Sequence, residues 1–265
     1  MIPPTSIDGT DITGATIDGT DVQEITVDGD VVFSAALNSG ADHQWDFSEG
    51  SGSTVGDKIG GLDGSITNAT FAAGKGVGGT HMVYDGSSDF VDLGSNSRTA
   101  FKSLTDQNLG TCAIWFRPHD TSNNYQVWGN TGDLNDVGFG MRIRSGAEFG
   151  VVVLDGDGSR SVLIKSGGGV LTQNNWTFIA FTMDGSNTAS LYHADVGDTN
   201  VSLENTSSIN GSTTADFSSN VNFGRRNDNL GWDLDGQTDV AFYEAREWSD
   251  SELQTWVNQT KDFFL

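Results

Sequence analysis

The chain has 265 residues, which is long enough for one large all-β domain with a short appendage. Its 13 Lys and Arg residues stand against 36 Asp and Glu residues, and the net charge of -23 argues against nucleic acid and anionic membranes as partners. The 15 Phe and seven Trp residues can fill a core, so the composition is not that of a disordered chain.

The acidic surface has an unusual make-up. Of the 36 acids 29 are Asp, and Lys occurs only five times. Strong brine screens the self-repulsion of such a surface, so the composition resembles that of haloarchaeal proteins; an ordinary acidic extracellular protein is the alternative. No apolar run reaches 18 residues, and the start Met-Ile-Pro-Pro-Thr-Ser lacks a basic and an apolar region. We therefore expect neither membrane insertion nor a signal peptide.

A ten-residue repeat occupies residues 7–32. Each of its three units places an Asp-Gly pair, at positions 8, 18 and 28, between β-branched residues. Asp-Gly favours tight hairpin turns, so we predict short paired strands. So small a segment cannot bury enough surface alone, and residues 1–35 are interpreted as a stem for anchoring or oligomerisation; an extension folded onto its own domain is the alternative. The stem resembles N-terminal segments of some phage and archaeal-virus structural proteins.

Beyond the stem, short apolar runs alternate with Gly, Asn and Asp turns at a spacing near ten residues. This spacing is typical of a β-sandwich. Ser249 with Glu252 forms a predicted capping box that opens the one expected helix. The predicted strands are 43–47, 81–84, 89–93, 111–117, 125–129, 137–144, 148–154, 160–165, 175–183, 188–193, 220–224 and 237–246.

Six segments in this order resemble the laminin-G-like jelly roll of the concanavalin A-like lectin and glucanase superfold. They begin at His43-Gln44-Trp45-Asp46-Phe47, and the closing strand is followed by Trp248-Ser249-Asp250. The other matching segments lie at 60–64, 78–93, 111–118 and 175–185. The resemblance implies an all-β, two-sheet antiparallel jelly-roll sandwich over residues 36–265, with the N-terminal β-repeat stem and one short C-terminal helix. It specifies a fold and leaves the ligand open.

The spacing of the acidic and histidine residues does not indicate a catalytic site. Related glycosidases carry Glu-x-Asp-x-x-Glu or Glu-x-Asp-x-Glu on one strand, and none of the seven Glu residues has such spacing. The four His residues show no zinc spacing. We therefore expect a binding protein and not an enzyme.

A structural Ca²⁺ is implied by the resemblance, because this fold often carries one on its outer face. The ligands would come from the opening region and from the Asp before the last strand. In this chain those residues are Asp46, Asp57 and Asp239. An ordinary surface role for Asp239 is the alternative.

A sugar site is predicted where aromatic rings stand beside hydrogen-bonding side chains. Two loops and one strand have this character, and Arg225–Arg226 in so acidic a chain suggests contact with an anionic glycan. The alternatives are that Trp128 belongs to the core and that the arginines pair with nearby Asp. The candidate ligand-binding residues are Tyr125, Trp128, Arg142, Arg225, Arg226, Asp228 and Trp232.

These features together predict a virion surface protein of a halophilic host's virus, such as a spike, capsid turret or tail fibre. Its lectin-like domain would bind a host surface glycan or glycoprotein. Residues 1–35 would join virion structural proteins, and several copies would act as a homo-oligomer. A secreted or cell-surface carbohydrate-binding adhesin, a purely structural decoration and a glycoside hydrolase are the alternatives.

Overall fold

The computed structural model describes residues 40–132, 134–227 and 231–265 in full, and four short N-terminal strands by their backbone. Strands are numbered in chain order. β1 (Thr16–Ile17) pairs antiparallel with β2 (Thr20–Asp21), and β3 (Glu24–Val27) with β4 (Asp30–Ser34). Each pair brackets one Asp-Gly unit, as expected for hairpins. The unit at 8–9 and the predicted boundary at 35–36 lie outside the described residues, so the division into stem and sandwich stays a prediction.

One face of the main domain is an antiparallel sheet of eight strands, called sheet I here. Its spatial order is β15-β14-β13-β12-β19-β10-β7-β6. Its strands are β6 (Thr54–Val55), β7 (Gly64–Thr67), β10 (Phe90–Asp92), β12 (Tyr125–Gly129), β13 (Val137–Arg144), β14 (Glu148–Asp155), β15 (Val162–Lys165) and β19 (Asn222–Phe223).

The opposite face is a second antiparallel sheet, called sheet II, in the order β18-β17-β16-β11-β20-β9-β8, with one further strand paired to β20. That further strand is β5 (His43–Trp45), which pairs with β20 through Trp45 and Ala241. The others are β8 (Thr70–Ala73), β9 (Thr80–Asp85), β11 (Leu109–Pro118), β16 (Thr177–Asp184), β17 (Thr188–Asp195), β18 (Ser202–Ser208) and β20 (Asp235–Glu244).

Aromatic side chains fill the space between the two sheets. Trp45, Trp128 and Phe223 are fully buried there. The rings of Trp128 and Phe223 stack with their centroids 5.0 Å apart, and Trp45 meets both of them edge-on. Such contacts add to the hydrophobic gain from burial, so this cluster is the centre of the sandwich.

The outer face of sheet II is covered by α3 (Asp250–Thr260), which buries Leu253, Trp256 and Val257. The predicted capping box is confirmed, because the Ser249 side chain accepts from the Glu252 N–H and the Glu252 carboxylate accepts from the Ser249 N–H. At 11 residues, α3 is the longest helix among the described residues, well short of the roughly 20 residues that cross a bilayer.

The two-sheet antiparallel sandwich is confirmed, and all twelve predicted strands are present with shifts of a few residues at their ends. The expectation of one helix was incomplete, since α1 (Ser97–Ala100) and α2 (Ser103–Asp106) precede β11. These single turns are too short to show a helical period. β6, β7, β8 and β18 were not predicted; seven-residue β18 contains one large apolar residue, Leu203, and so lacks alternation.

Candidate functional site

Three of the predicted ligand-binding residues come together on the outer face of sheet I. The guanidinium carbon of Arg226 lies 4.5 Å from the centre of the Trp232 ring, and that of Arg142 lies 5.2 Å from it. Both distances are within cation–π range. The half-buried Trp232 therefore holds two positive charges beside one another at the surface.

The alternation of β13 explains why arginines point outwards there. Phe139, Met141 and Ile143 face the core, whereas Arg142 and Arg144 occupy the opposite face of the strand. The register places Arg142 across from Gln126 on β12 and from Gly150 on β14.

Arg142 is held in one position by neighbouring polar groups. Its Nε donates to Gln126 Oε1 at 3.3 Å, and its Nη2 donates to the carbonyl and the hydroxyl of Thr131 at 3.1 and 2.7 Å. A Cβ at position 140 would lie 2.6 Å from Thr131 Oγ1 and 3.0 Å from Arg142 Nε, so Gly140 leaves the space that the guanidinium uses. Arg226 is fixed in a similar way, since its Nη2 donates to the carbonyl of Gly132.

Two adjoining depressions run from Trp232 across β13 and β14 to β15. Their cavity volumes are about 270 and 170 Å³. Arg142, Arg144, Val152 and Arg160 line both depressions, so they form one continuous feature. We call it the arginine groove and define it by its polar and aromatic side chains, Arg142, Arg144, Arg160, Lys165, Arg226 and Trp232.

The groove differs in charge from the rest of the protein. Five of the 13 Lys and Arg residues line it, whereas no Asp or Glu among the described residues does so. In a chain with 36 acids this segregation creates a local positive potential. Arg160 and Lys165 were not among the predicted site residues, because only the strand pairing brings β15 and the preceding loop beside β14, one strand away from β13.

Three other predicted ligand-binding residues, Trp128, Tyr125 and Arg225, do not join this site. Trp128 is fully buried in the core, so its assignment to a sugar site was wrong. Tyr125 lies outside the groove, and its hydroxyl donates to Asp120 Oδ2 at 2.7 Å. Burial and the hydrogen bond to that carboxylate raise the pKa of Tyr125 to about 12.

Arg225 also lies outside the groove, although it precedes Arg226. Its guanidinium carbon lies 4.7 Å from the centre of the Phe90 ring, and its Nε lies 3.9 Å from Asp233 Oδ1. The prediction of a shared site for the two adjacent arginines was therefore wrong. Asp228 lies outside the described residues.

The predicted calcium ligands do not form one cluster, and the described residues contain no group of three or more His, Cys, Asp or Glu side chains placed to hold a metal ion. The carboxylate oxygens of Asp57 already accept other hydrogen bonds. Asp57 accepts hydrogen bonds from the N–H groups of Gln44, Ile59, Gly60 and Leu62 and contacts His43 Nδ1 at 2.5 Å. Its inclusion was wrong, because its oxygens are used to shape the loop at 57–62.

Asp239 fits a cation better. Its side chain is fully buried, and Oδ2 has no hydrogen-bond partner among the described residues. A Cβ at Gly76 would collide with this oxygen, so glycine keeps the space beside it open. Burial raises the pKa of Asp239 well above its usual range, and the charges of Asp46 and Glu49 raise it further. Lys58 already pairs with both of those acids, at 3.1 and 3.2 Å, whereas the buried Asp239 Oδ2 has no such partner among the described residues.

Comparison with solved structures identifies proteins that have the same fold as this chain. The binding domain of botulinum neurotoxin serotype G superposes with a TM-score of 0.61 at 15% identity, covering 83% of this chain and 51% of that one. The binding domain of Paraclostridial Mosquitocidal Protein 1 gives 0.62 at 15% identity, with 84% and 53% covered. The chain shares the fold of these toxin binding domains.

A third similar structure is the binding domain of botulinum neurotoxin DC in complex with SialylT, with a TM-score of 0.60, 13% identity, and 84% and 52% of the two chains covered. Our chain thus spans about half the length of the structures it matches. No family model and no curated protein matches the sequence. The similarity confirms the lectin-type jelly roll as a fold, and the similar structures are described as binding domains.

Proposed function

We propose that this protein binds carbohydrate without cleaving it, and that the arginine groove is the binding site. The observation that carries the proposal is the placement of Trp232 with Arg142 and Arg226 at the end of an open groove. Guanidinium groups donate several hydrogen bonds in a fixed plane, which suits the oxygens of a sugar ring. The exposed side chains of Leu134 and Leu163, which also line the groove, add apolar surface for the ring carbons.

The size of the groove suggests weak binding by a single copy. Each depression is smaller than the roughly 300–1,000 Å³ typical of pockets that enclose a drug-sized ligand. Useful affinity would then come from several linked copies. We propose that residues 1–35 provide this linkage, because short Asp-Gly hairpins need a partner to bury their surface.

We also propose that the protein is displayed on the surface of a virion, where it recognises a host glycan. A stem of repeated hairpins followed by a lectin-type domain suits a spike, turret or tail fibre. Antibody labelling of purified particles by electron microscopy tests this location. Gold on the particles is the expected result, whereas gold only on cell envelopes would favour a cellular adhesin.

The binding proposal is tested by calorimetric titration with neutral and acidic oligosaccharides. We expect at least one class to bind, and Trp232→Ala to weaken that binding about tenfold or more, because the ring supports two arginines. Ile59→Ala is the control, since Ile59 is an exposed apolar residue that follows β6 at the other edge of sheet I. Equal binding by the Trp232 variant and the native protein would place the site elsewhere, and release of shortened products would contradict binding without cleavage.

A further inference from the structure

We infer that the arginine groove selects an extended acidic glycan, with a carboxylate or sulfate group on at least two neighbouring sugar residues. This inference rests on the proposed function, because it names the class of carbohydrate that the same groove would take. It goes further by assigning a charge and a minimum length to the ligand.

The charge of the ligand follows from the groove's lining. Four of the eight arginines of the chain, Arg142, Arg144, Arg160 and Arg226, surround the two depressions. A neutral sugar would leave the guanidinium groups of Arg144 and Arg160 without anionic partners, whereas carboxylate and sulfate oxygens match the guanidinium fork. The acids elsewhere on the protein have little effect at the groove, because at 0.15 M salt charges more than about 8 Å away are largely screened.

The arginines fall into two kinds along the groove. Arg142 and Arg226 are held by Thr131, by a backbone carbonyl and by the Trp232 ring, so two charges are already positioned at one end. The side chains of Arg144 and Arg160 have no hydrogen-bond or ion-pair partner within the described part of the chain, and their donors remain available. Fixed charges lower the ordering cost of binding, and available donors provide new hydrogen bonds.

The far end of the groove supplies a further charge. Lys165 on β15 lines the smaller depression, and its Nζ lies 3.2 Å from Glu148 Oε2. The charge of Lys165 is therefore partly offset, and its contribution should be smaller than that of Arg160.

The length of the ligand follows from the shape of the groove. Neither depression alone approaches an enclosing pocket, with about 270 and 170 Å³, but they share the side chains of Arg142, Arg144 and Arg160. An acidic group bound at Trp232 and a second one near Lys165 would both contact these shared arginines. Gly150 keeps the smaller depression open, since a Cβ there would lie 2.9 Å from the Ile164 carbonyl and 3.2 Å from Lys165 Cγ.

The test is calorimetric titration of the full chain at several salt concentrations. The probes are galacturonic acid, tetragalacturonic acid, a sulfated heparin tetrasaccharide and the neutral tetramer of N-acetylglucosamine. We expect one of the acidic tetramers to bind at least about tenfold more tightly than both the neutral tetramer and the monosaccharide, which corresponds to one lost charge-assisted hydrogen bond. The two acidic tetramers show whether carboxylate or sulfate is preferred.

Substitutions in the groove show which side chains bind the acidic tetramer. Arg160→Gln should weaken binding of the preferred acidic tetramer about tenfold, because Arg160 lines both depressions and has free donors. Lys165→Gln should weaken it by a smaller factor. Lys75→Gln is the matched control, since Lys75 is exposed and distant in the fold between β8 and β9, and it should leave the affinity unchanged.

The outcomes separate this inference from the proposed function. Binding of the neutral tetramer that depends on Trp232 and not on Arg160 would overturn the acidic specificity and leave carbohydrate binding in place. Equal affinity for the monosaccharide and the tetramer would overturn the extended site. Tighter, Arg160-dependent binding of a single-stranded oligonucleotide would show that the groove serves a different class of polyanion. Failure of every saccharide to bind would remove both proposals.

Discussion

Replacement of Asp57 by Asn should destabilise the opening loop in a way that depends on pH. Burial alone would raise the pKa of this carboxyl, but the contact with His43 and the hydrogen bonds from the N–H groups of Leu62, Gln44 and Ile59 lower it from 3.8 to about 2. A difference of about two units corresponds to about 2.5 kcal/mol, at 1.36 kcal/mol per unit. No reduction for solvent screening applies, because the side chain has no exposed surface.

The direction of the pH dependence of stability follows from the lowered pKa of Asp57. Asp57 stabilises the folded state fully above its unfolded pKa near 4, and this stabilisation is lost as the pH falls through the folded pKa near 2. The amide of the Asp57→Asn variant keeps one acceptor oxygen and replaces the other with a donor. We therefore expect the variant to lose about 2.5 kcal/mol in the free energy of unfolding at pH 7, with the loss falling to roughly a third of that by pH 2.5.

Urea unfolding at constant salt, followed by tryptophan fluorescence, measures this difference at each pH. Asp262→Asn is the control for removal of one acid, because Asp262 is exposed in the last turn of the chain and should give a difference near zero. The reasoning is refuted if the Asp57 variant matches the native protein at pH 7, or if its deficit is the same at pH 2.5 and pH 7.

Three further predictions concern separate parts of the fold. Trp128→Ala should lower the free energy of unfolding by about 3–5 kcal/mol in urea titration, because it empties the centre of the core; a loss under about 1 kcal/mol would contradict that placement. Ser249→Ala should cost about 1 kcal/mol by removing the helix cap, and an unchanged midpoint would show that the capping box is not formed in solution. Millimolar Ca²⁺ should raise the melting temperature of the native protein at pH 7, since a cation bound at the buried Asp239 side chain would stabilise the folded state. The same rise in Asp239→Asn would place the cation at another site.

Most strands could be predicted from the sequence because a buried strand appears there as an apolar run between turn residues. β11 and β16 are buried along nearly their whole length, since sheet II packs against both the core and α3. β18 was missed for the opposite reason, because its side chains are mostly exposed and polar. An edge strand of this kind is held by backbone pairing, which leaves no hydrophobic pattern.

The candidate site was predictable residue by residue but not as a group. The sequence suggested Arg142, Arg226 and Trp232 as polar and aromatic candidates. Their meeting depends on the pairing of β12 with β13 and on the Gln126 N–H of β12, which donates to the Trp232 carbonyl. Trp128 and Trp232 both stand near Gly and Asn in the sequence, and only the fold shows that one is core and the other surface. Arg225 and Arg226 illustrate the same limit, because these sequence neighbours lie over different rings, Phe90 and Trp232.

The most direct test of the arginine groove is an NMR titration that follows the indole N–H signals of the seven tryptophans. Trp45 and Trp115 serve as internal references, since their indole N–H groups donate inside the protein to the Leu62 carbonyl and to Thr260 Oγ1. On addition of the preferred acidic tetrasaccharide, we predict that the Trp232 signal shifts in a saturable way while those of Trp45 and Trp115 stay in place. A saturable shift elsewhere with no change at Trp232 would contradict the assignment of the groove as the binding site.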